Sequence, residues 1–213
     1  MLAAANTGAP LTAEGVAALA SLRASAKRTG RTVGRFGVGF AAVAAVADEV
    51  VVASTTGAVR FSRALTLAAV QGVPALAGEL AARDGRVPLL RLPFESDERP
   101  RAGFTTEVRV TVSDDAAVRA MLADVDPTLL LVLPGLDALE VGDRVLRAAH
   151  DGDDVLLDGV RWRVLSRDGE LEPALLAGRP VEEQEQTRWA VTWAVPLVDG
   201  LPAALPAGLA PVV

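Results

Sequence analysis

The chain has 213 residues, 51% of them hydrophobic, enough for one large domain or for one domain and part of a second. Its formal charge is −6, with no cysteine and a single histidine. That excludes a disulfide framework, a thiolate zinc site and a multi-histidine metal site, and it argues against nucleic acid or an acidic membrane as partner.

The first residues, MLAAANTG, lack a basic segment ahead of a long apolar run and do not read as a signal peptide. Residues 12–26 predict a helix, with Thr12 as N-cap and Val16, Leu19 and Leu22 near the helical period. Residues 23–35 are polar and basic. No acid occurs between Glu14 and Asp48, whereas Arg23, Lys27, Arg28, Arg31 and Arg35 all do. This cationic stretch ends in VGRFGVGF, residues 33–40, where Gly34, Gly37 and Gly39 stand among bulky apolar residues. Residues 36–47 become rich in Ala and Val and predict a helix after the last glycine. EVVVAS (49–54) and AVRFS (58–62) read as two strands around a Thr-Gly turn. Residues 63–83 predict a helix that Pro74 kinks or breaks. The apolar run within it, 64–78, holds Gln71, Gly72 and Pro74 and is too short and too broken for a membrane span. Residues 83–103 read as a loop, EVRVTV (107–112) as a strand, and 114–125 as a helix capped by Asp114 or Asp115. Residues 126–136 are apolar, and helix and strand both stay open there.

After Pro134 the pattern turns β-rich, with alternation in VLLDG, VRWRVLS and RWAVTWAV and turns at DGDD, DG and RDG. Trp162, Trp189 and Trp193 lie on these strands. They are expected to pack a β core, with a protein- or peptide-binding face as the functional alternative. His150 reads as a surface residue in the loop before DGDD. Asp151, Asp153, Asp154 and Asp158 lack EF-hand spacing and a following bidentate Glu, so no metal ligands are assigned. The terminal run LPAALPAGLAPVV is apolar and proline-rich, and a chain ending so is expected to be a piece of something longer.

A glycine-rich turn entering a helix aims several backbone N–H groups at one point, beside the positive end of the helix dipole. That suits a phosphate. Glycine serves there because a Cβ would block close approach, or because φ must be positive. The spacing is the reverse of the dinucleotide fingerprint, and no G-x-x-x-x-G-K-[ST] run exists. A purely structural glycine turn and a solvated basic loop stay open as readings. Upstream, ANTGAPLT (5–12) is either a plain turn or a means of presenting Asn6 to a base edge, with Gly8 admitting a flat ring.

Four segments together resemble the ATP-binding domain shared by type II topoisomerases, ninety-kilodalton heat-shock chaperones, histidine kinases and mismatch-repair ATPases. The nearest likeness is to the chaperones and the sacsin-like proteins. NTGAPLT (6–12) resembles the adenine-binding D-x-G segment, and SLRASAK (21–27) the S-x-x-K region of the nucleotide lid. VGRFGVGF with AAVAAVADEVVVAS (33–54) resembles the glycine box with its helix and strand. GFTTEVRVTV (103–112) resembles the strand whose threonine helps hold the adenine. The likeness covers about residues 3 to 133 and is most specific in the third segment.

By this resemblance Asn6 takes the place of the aspartate that accepts from the adenine amino group, and accepts through its amide oxygen without charge. Gly8 lets the base approach. Thr106 matches the supporting threonine, although Thr105 stands where the family has glycine. Backbone N–H groups of Gly34, Arg35, Phe36, Gly37, Val38, Gly39 and Phe40 hold the phosphates. Ser25 and Lys27 fall on the lid, with Lys27 or Arg35 near the γ-phosphate. The family's catalytic glutamate and its Mg²⁺-binding asparagine lie on a helix upstream of the adenine segment. Only five residues precede Asn6, so the chain is expected to be an N-terminally truncated version, with no catalytic residue assigned.

The expected fold is α/β (α+β): a two-layer sandwich with a mixed, mostly antiparallel sheet and helices on one face, followed by a β-rich segment. The expected domains are residues 1–133, the partial ATP-binding domain, and 134–213, the start of a following region. The expected function is a cytoplasmic ATP-binding module, with Mg²⁺ and ATP as cofactors. Lid closure would act as a conformational switch on client or partner proteins. The alternative is a non-catalytic protein-interaction module with a degenerate nucleotide site.

Overall fold

A computed structural model describes residues 1–21, 38–43, 47–112, 114–133, 135–179, 184 and 187–205. The chain has a mixed α/β fold with two antiparallel sheets and helices. It forms two compact units, Met1–Ala120 and Met121–Val213. The sequence expectation puts the boundary after residue 133. The short helix before that point joins the second unit, because Leu130 and Leu131 belong to its core.

The first unit is built on five strands: β1 (Leu2–Asn6), β2 (Ala47–Ser54), β3 (Gly57–Ser62), β4 (Phe94–Ser96) and β5 (Thr106–Val112). Their order is β1-β5-β2-β3-β4. Directly opposed residues share a face, and the register gives Leu2–Val110–Val50–Phe61 and Ala4–Val108–Val52–Val59 as cross-sheet rows. This apolar face is the core. It packs with Leu11 and Leu19 near and in α1 (Ala13–Ala20), with Phe40 and Val43 of α2 (Val38–Val43), and with Leu89 and Leu90. The first sheet therefore carries α1 and α2 on this apolar face.

Local chemistry explains the helix ends. The Thr12 hydroxyl accepts from Gly15 N–H at 3.1 Å and starts α1. Ser62 caps α3 (Arg63–Gln71) in the same way. Pro74 then breaks the expected long helix: α3 gives way to a single 3₁₀ turn, Pro74–Leu76, and α4 (Ala77–Ala82) leaves at 108°. Asp114 caps α5 (Asp115–Ala123), accepting from the Ala116 and Ala117 N–H groups at 3.0 and 2.9 Å. Among the described residues no single helix is long and apolar enough to cross a membrane.

Among the described residues the second unit holds α6 (Leu129–Val132), α7 (Pro173–Leu176) and six strands. They are β6 (Ala138–Val141), β7 (Arg144–Asp151), β8 (Asp154–Leu157), β9 (Val160–Glu170), β10 (Arg188–Val198) and β11 (Leu201–Pro202), in the order β11-β10-β9-β8-β7-β6. Asp158-Gly159 and Asp199-Gly200 have positive φ at both positions, the requirement of the two-residue turns that match strand twist. Trp162, Val155, Leu157 and Leu146 meet Leu130 and Leu131 of α6 in the core. His150 is not in a loop. It lies on β7 opposite Val155, because the β7–β8 ladder runs on to Asp151 and Asp154.

Candidate functional site

The candidate site lies at the end of the first sheet where β1 and β2 finish and β5 starts. Asn6 is the last residue of β1, and Thr106 is the first of β5. They oppose each other directly, and Thr106 in turn opposes Ser54, the last residue of β2. The row Asn6–Thr106–Ser54 therefore continues the apolar rows. It puts an amide and two hydroxyls on the face that carries α1 and α2.

Ser54 is fully buried and organises this end. Its oxygen accepts from Leu11 N–H at 3.0 Å, and its hydroxyl donates to the Thr105 carbonyl at 3.1 Å. The Ser54 and Thr106 hydroxyls are 3.2 Å apart. Because Ser54 spends its one proton on Thr105, Thr106 is the donor between the two hydroxyls. The Thr106 oxygen keeps its lone pairs for another donor. Thr56 donates to the Leu11 carbonyl at 2.6 Å, so both polar groups of the Leu11 backbone are tied to the β2–β3 turn region. The stretch from Asn6 to the N-cap Thr12 is thus held at both ends, since Thr105 N–H also donates to the Asn6 carbonyl at 2.8 Å.

Asn6 is exposed, and among the described residues a Cβ built on Gly8 would have only the Asn6 amide nitrogen near it, at 3.8 Å. Gly8 therefore leaves open space beside the Asn6 amide. Of the sequence-predicted residues, Asn6, Gly8 and Thr106 come together here. Val38, Gly39 and Phe40 open α2, and the Phe40 side chain packs on the core face that the Asn6 row extends. Ser25, Lys27, Gly34, Arg35, Phe36 and Gly37 lie outside the described residues.

Sequence reasoning missed Ser54, Thr56 and the Leu11 backbone. The signal was present in EVVVAS. With Val50 and Val52 on the core face, period two puts the Ser54 hydroxyl there as well. Removing it tests the arrangement. Ser54→Ala leaves Leu11 N–H without its acceptor, and urea unfolding is expected to show a loss of about 1–3 kcal/mol. Hydrogen exchange at Leu11 is expected to accelerate more than at the core amides of Val50 and Val52.

The charged groups near β5 face the other way. Glu107 lies between Thr106 and Val108 and so points to the opposite side of the sheet, where it is buried. It accepts from Arg101 N–H at 2.7 Å and from the Arg109 guanidinium at 2.9 Å. The Arg109 hydrogen bond is the main force holding its carboxyl below the ordinary value, with burial opposing. Arg109 also pairs with Glu98, which pairs with Arg60 at 2.9 Å. This network clamps residues 98–101 onto the sheet and contributes nothing to the Asn6 row.

Glu14 follows Thr12 in the first turn of α1. Its carboxyl is lowered by its own backbone N–H and then by the Thr12 side chain, an arrangement that stabilises the helix start. Among the described residues no group of three or more His, Cys, Asp or Glu is placed to hold a metal ion. Comparison with protein-family models, curated proteins and solved structures returns no match.

Proposed function

We propose that the chain is an ATP-binding module of the sacsin-like, chaperone-type ATPase kind, in which Mg·ATP binding and lid closure act as a conformational switch. The observation that carries this reading is the row Asn6–Thr106–Ser54, with Gly8 leaving open space beside it. It supports an adenine subsite by its hydrogen-bond polarity. The Asn6 amide oxygen and the Thr106 oxygen are both acceptors, and the adenine amino group offers two donors. Guanine carries an acceptor at the same ring position, so the Thr106 oxygen would face an acceptor there, whereas the Asn6 amide can turn to donate. Gly8 would let the ring lie close to the backbone, and the apolar face with Phe40 would flank it.

The phosphate end of the proposal rests on the sequence of Gly34 through Phe40, and the lid on Ser25 and Lys27. Mg²⁺ would enter as part of the Mg·ATP complex. Binding energy that differs between open and closed lids would shift their populations, which is all a switch requires. Such a switch acting on client proteins would operate in the cytoplasm.

Calorimetric titration tests the polarity. Mg·ATP is expected to bind at least about tenfold more tightly than Mg·GTP, because the Thr106 oxygen loses its hydrogen bond and opposes an acceptor, at a cost of about 1.4 kcal/mol or more. Thr106→Val is expected to remove most of that preference. Equal affinity for the two nucleotides would contradict the assignment of Asn6 and Thr106. A second reading, a protein-interaction module, is favoured by Trp193, which is 52% exposed on β10.

A further inference from the structure

The strand order leaves β10 beside β9 with little on its other side. β11 reaches only Leu197 and Val198, and Ala203 N–H donates to the Pro196 carbonyl at 2.9 Å. From Arg188 to Val195 no other described strand pairs with β10. β9 is paired with β8 only up to Arg163, and Val164 N–H still reaches Asp153. Beyond that point β9 and β10 form a two-stranded ribbon, an arrangement of marginal stability without further cover.

The chemistry of this edge is inverted. Edge strands are normally guarded by charge, proline or a bulge, because their free N–H and C=O groups invite another strand. Here the inner strand β9 carries Arg161, Arg163, Arg167, Asp168 and Glu170. The edge strand β10 carries no charge from Trp189 through Val198. Its guards stand at its two ends, Arg188 at the start and Pro196 where β11 already covers. The Pro196 carbonyl points outward to Ala203, and the strand period carries that direction to Ala194, Thr192 and Ala190.

One face of the ribbon is apolar along β10, with Arg167 of β9 opposite Val191 on it. Trp189, Val191 and Trp193 alternate along β10, beside Leu165 of β9, with exposures of 36%, 40%, 52% and 43%. The Trp189 indole lies across Gly169, where a Cβ would stand 2.9 Å from the ring. On the other face Ala190, Thr192 and Ala194 are small, and the Thr192 and Ser166 hydroxyls are 3.0 Å apart.

We propose that β10 is a self-association edge, on which the β10 of a second copy pairs antiparallel about Thr192. A second copy fits better than a charged strand because the sequence is self-complementary about that residue. A two-fold axis at Thr192 sets Trp193 opposite Val191 of the second copy and Trp189 opposite its Val195. It sets Ala190 opposite Ala194 on the other face. Every lateral pair is apolar on apolar or small on small, and each outward N–H of Ala190, Thr192 and Ala194 gains a carbonyl. A charged partner strand would find no opposite charge on β10 from Trp189 through Val198.

Sedimentation velocity on the full chain over the micromolar range tests this. The expected result is a reversible dimer, whose dissociation constant rises at least about tenfold in Val191→Lys. A monomer at every concentration would assign the edge to a strand of another protein and overturn self-pairing. A dimer equally tight in Val191→Lys would also overturn it. The chain has no cysteine, so Thr192→Cys supplies a probe independent of that variant's folding. Opposed hydrogen-bonded residues have Cα atoms about 5.5 Å apart, within disulfide range. Mild oxidation is expected to give a disulfide-linked dimer with Thr192→Cys and none with Leu156→Cys, which is exposed on β8. Absence of the linked Thr192→Cys dimer overturns the pairing even if Val191→Lys fails to fold.

Discussion

Phe61→Ala is expected to lower the unfolding free energy of the first unit by about 3–5 kcal/mol. Phe61 is fully buried on β3, opposite Val50, in the cluster that also holds Val52, Val110, Leu89 and Leu90. Truncation removes the transfer free energy of the ring and leaves a cavity. Sheet residues on both sides are fixed by the β2–β3 and β2–β5 ladders, so little collapse can fill it. Domains of this size have only about 5–15 kcal/mol in total. Urea unfolding followed by circular dichroism is therefore expected to show a large fall in midpoint. The signal of Trp162, buried in the core of the second unit, is expected to change less than the first-unit transition. A midpoint shift under about 1 kcal/mol would contradict the packing described for Phe61.

Glu107→Ala is expected to cost about 3 kcal/mol, the low end of the range for breaking a buried ion pair. The low end applies because Arg109 keeps Glu98 and the Arg99 carbonyl at 2.6 Å as partners. Arg101 N–H loses its acceptor outright. The same carboxylate makes the first unit acid-sensitive. The folded pKa of Glu107 lies below its ordinary value of 4.5, chiefly through Arg109. A depressed folded pKa means that the unfolded state takes up the proton first. The stabilisation is then complete above the unfolded value and is lost as pH falls through the folded one. Thermal unfolding between pH 7 and pH 3 is expected to show a fall below about pH 4.5 that is visibly shallower in Glu107→Gln. Parallel curves for the two proteins would remove Glu107 from the account.

Much of this fold was legible in the sequence, for identifiable reasons. EVRVTV alternates apolar and polar residues, EVVVAS and AVRFS are short runs rich in Val and Phe around a Thr-Gly turn, and they became the three inner strands of the first sheet. Thr12, Asp114 and Pro74 act through local chemistry and did what their residue types require. β1 was not legible. LAAAN has weak strand propensity, and it is a strand because β5 offers it a ladder from Val110 to Thr106. β4 was hidden in a proline- and arginine-rich segment for the same reason, since only pairing with β3 defines it. The 126–136 run was left open between helix and strand. It forms the short α6, because burying Leu130 and Leu131 against the second sheet decides what periodicity cannot.

The site was legible in part. Asn6, Gly8 and Thr106 were singled out from motifs a hundred residues apart, and the β1–β5 register brings them to one end of one sheet. Ser54 was not singled out, since a serine ending a strand is ordinary until its burial and partners are seen.

The most direct test of the nucleotide reading is Mg·ATP titration of the chain and of Gly8→Val by calorimetry. Among the described residues only the Asn6 amide lies near a Cβ at Gly8, at 3.8 Å, so a Cβ there meets no close contact. Unfolding curves are expected to overlay. The account predicts that the unaltered chain binds Mg·ATP and that Gly8→Val weakens binding at least about tenfold, because its side chain occupies the space assigned to the ring. A well-folded chain that binds no Mg·ATP, or a Gly8→Val variant that binds it equally well, would contradict the claim.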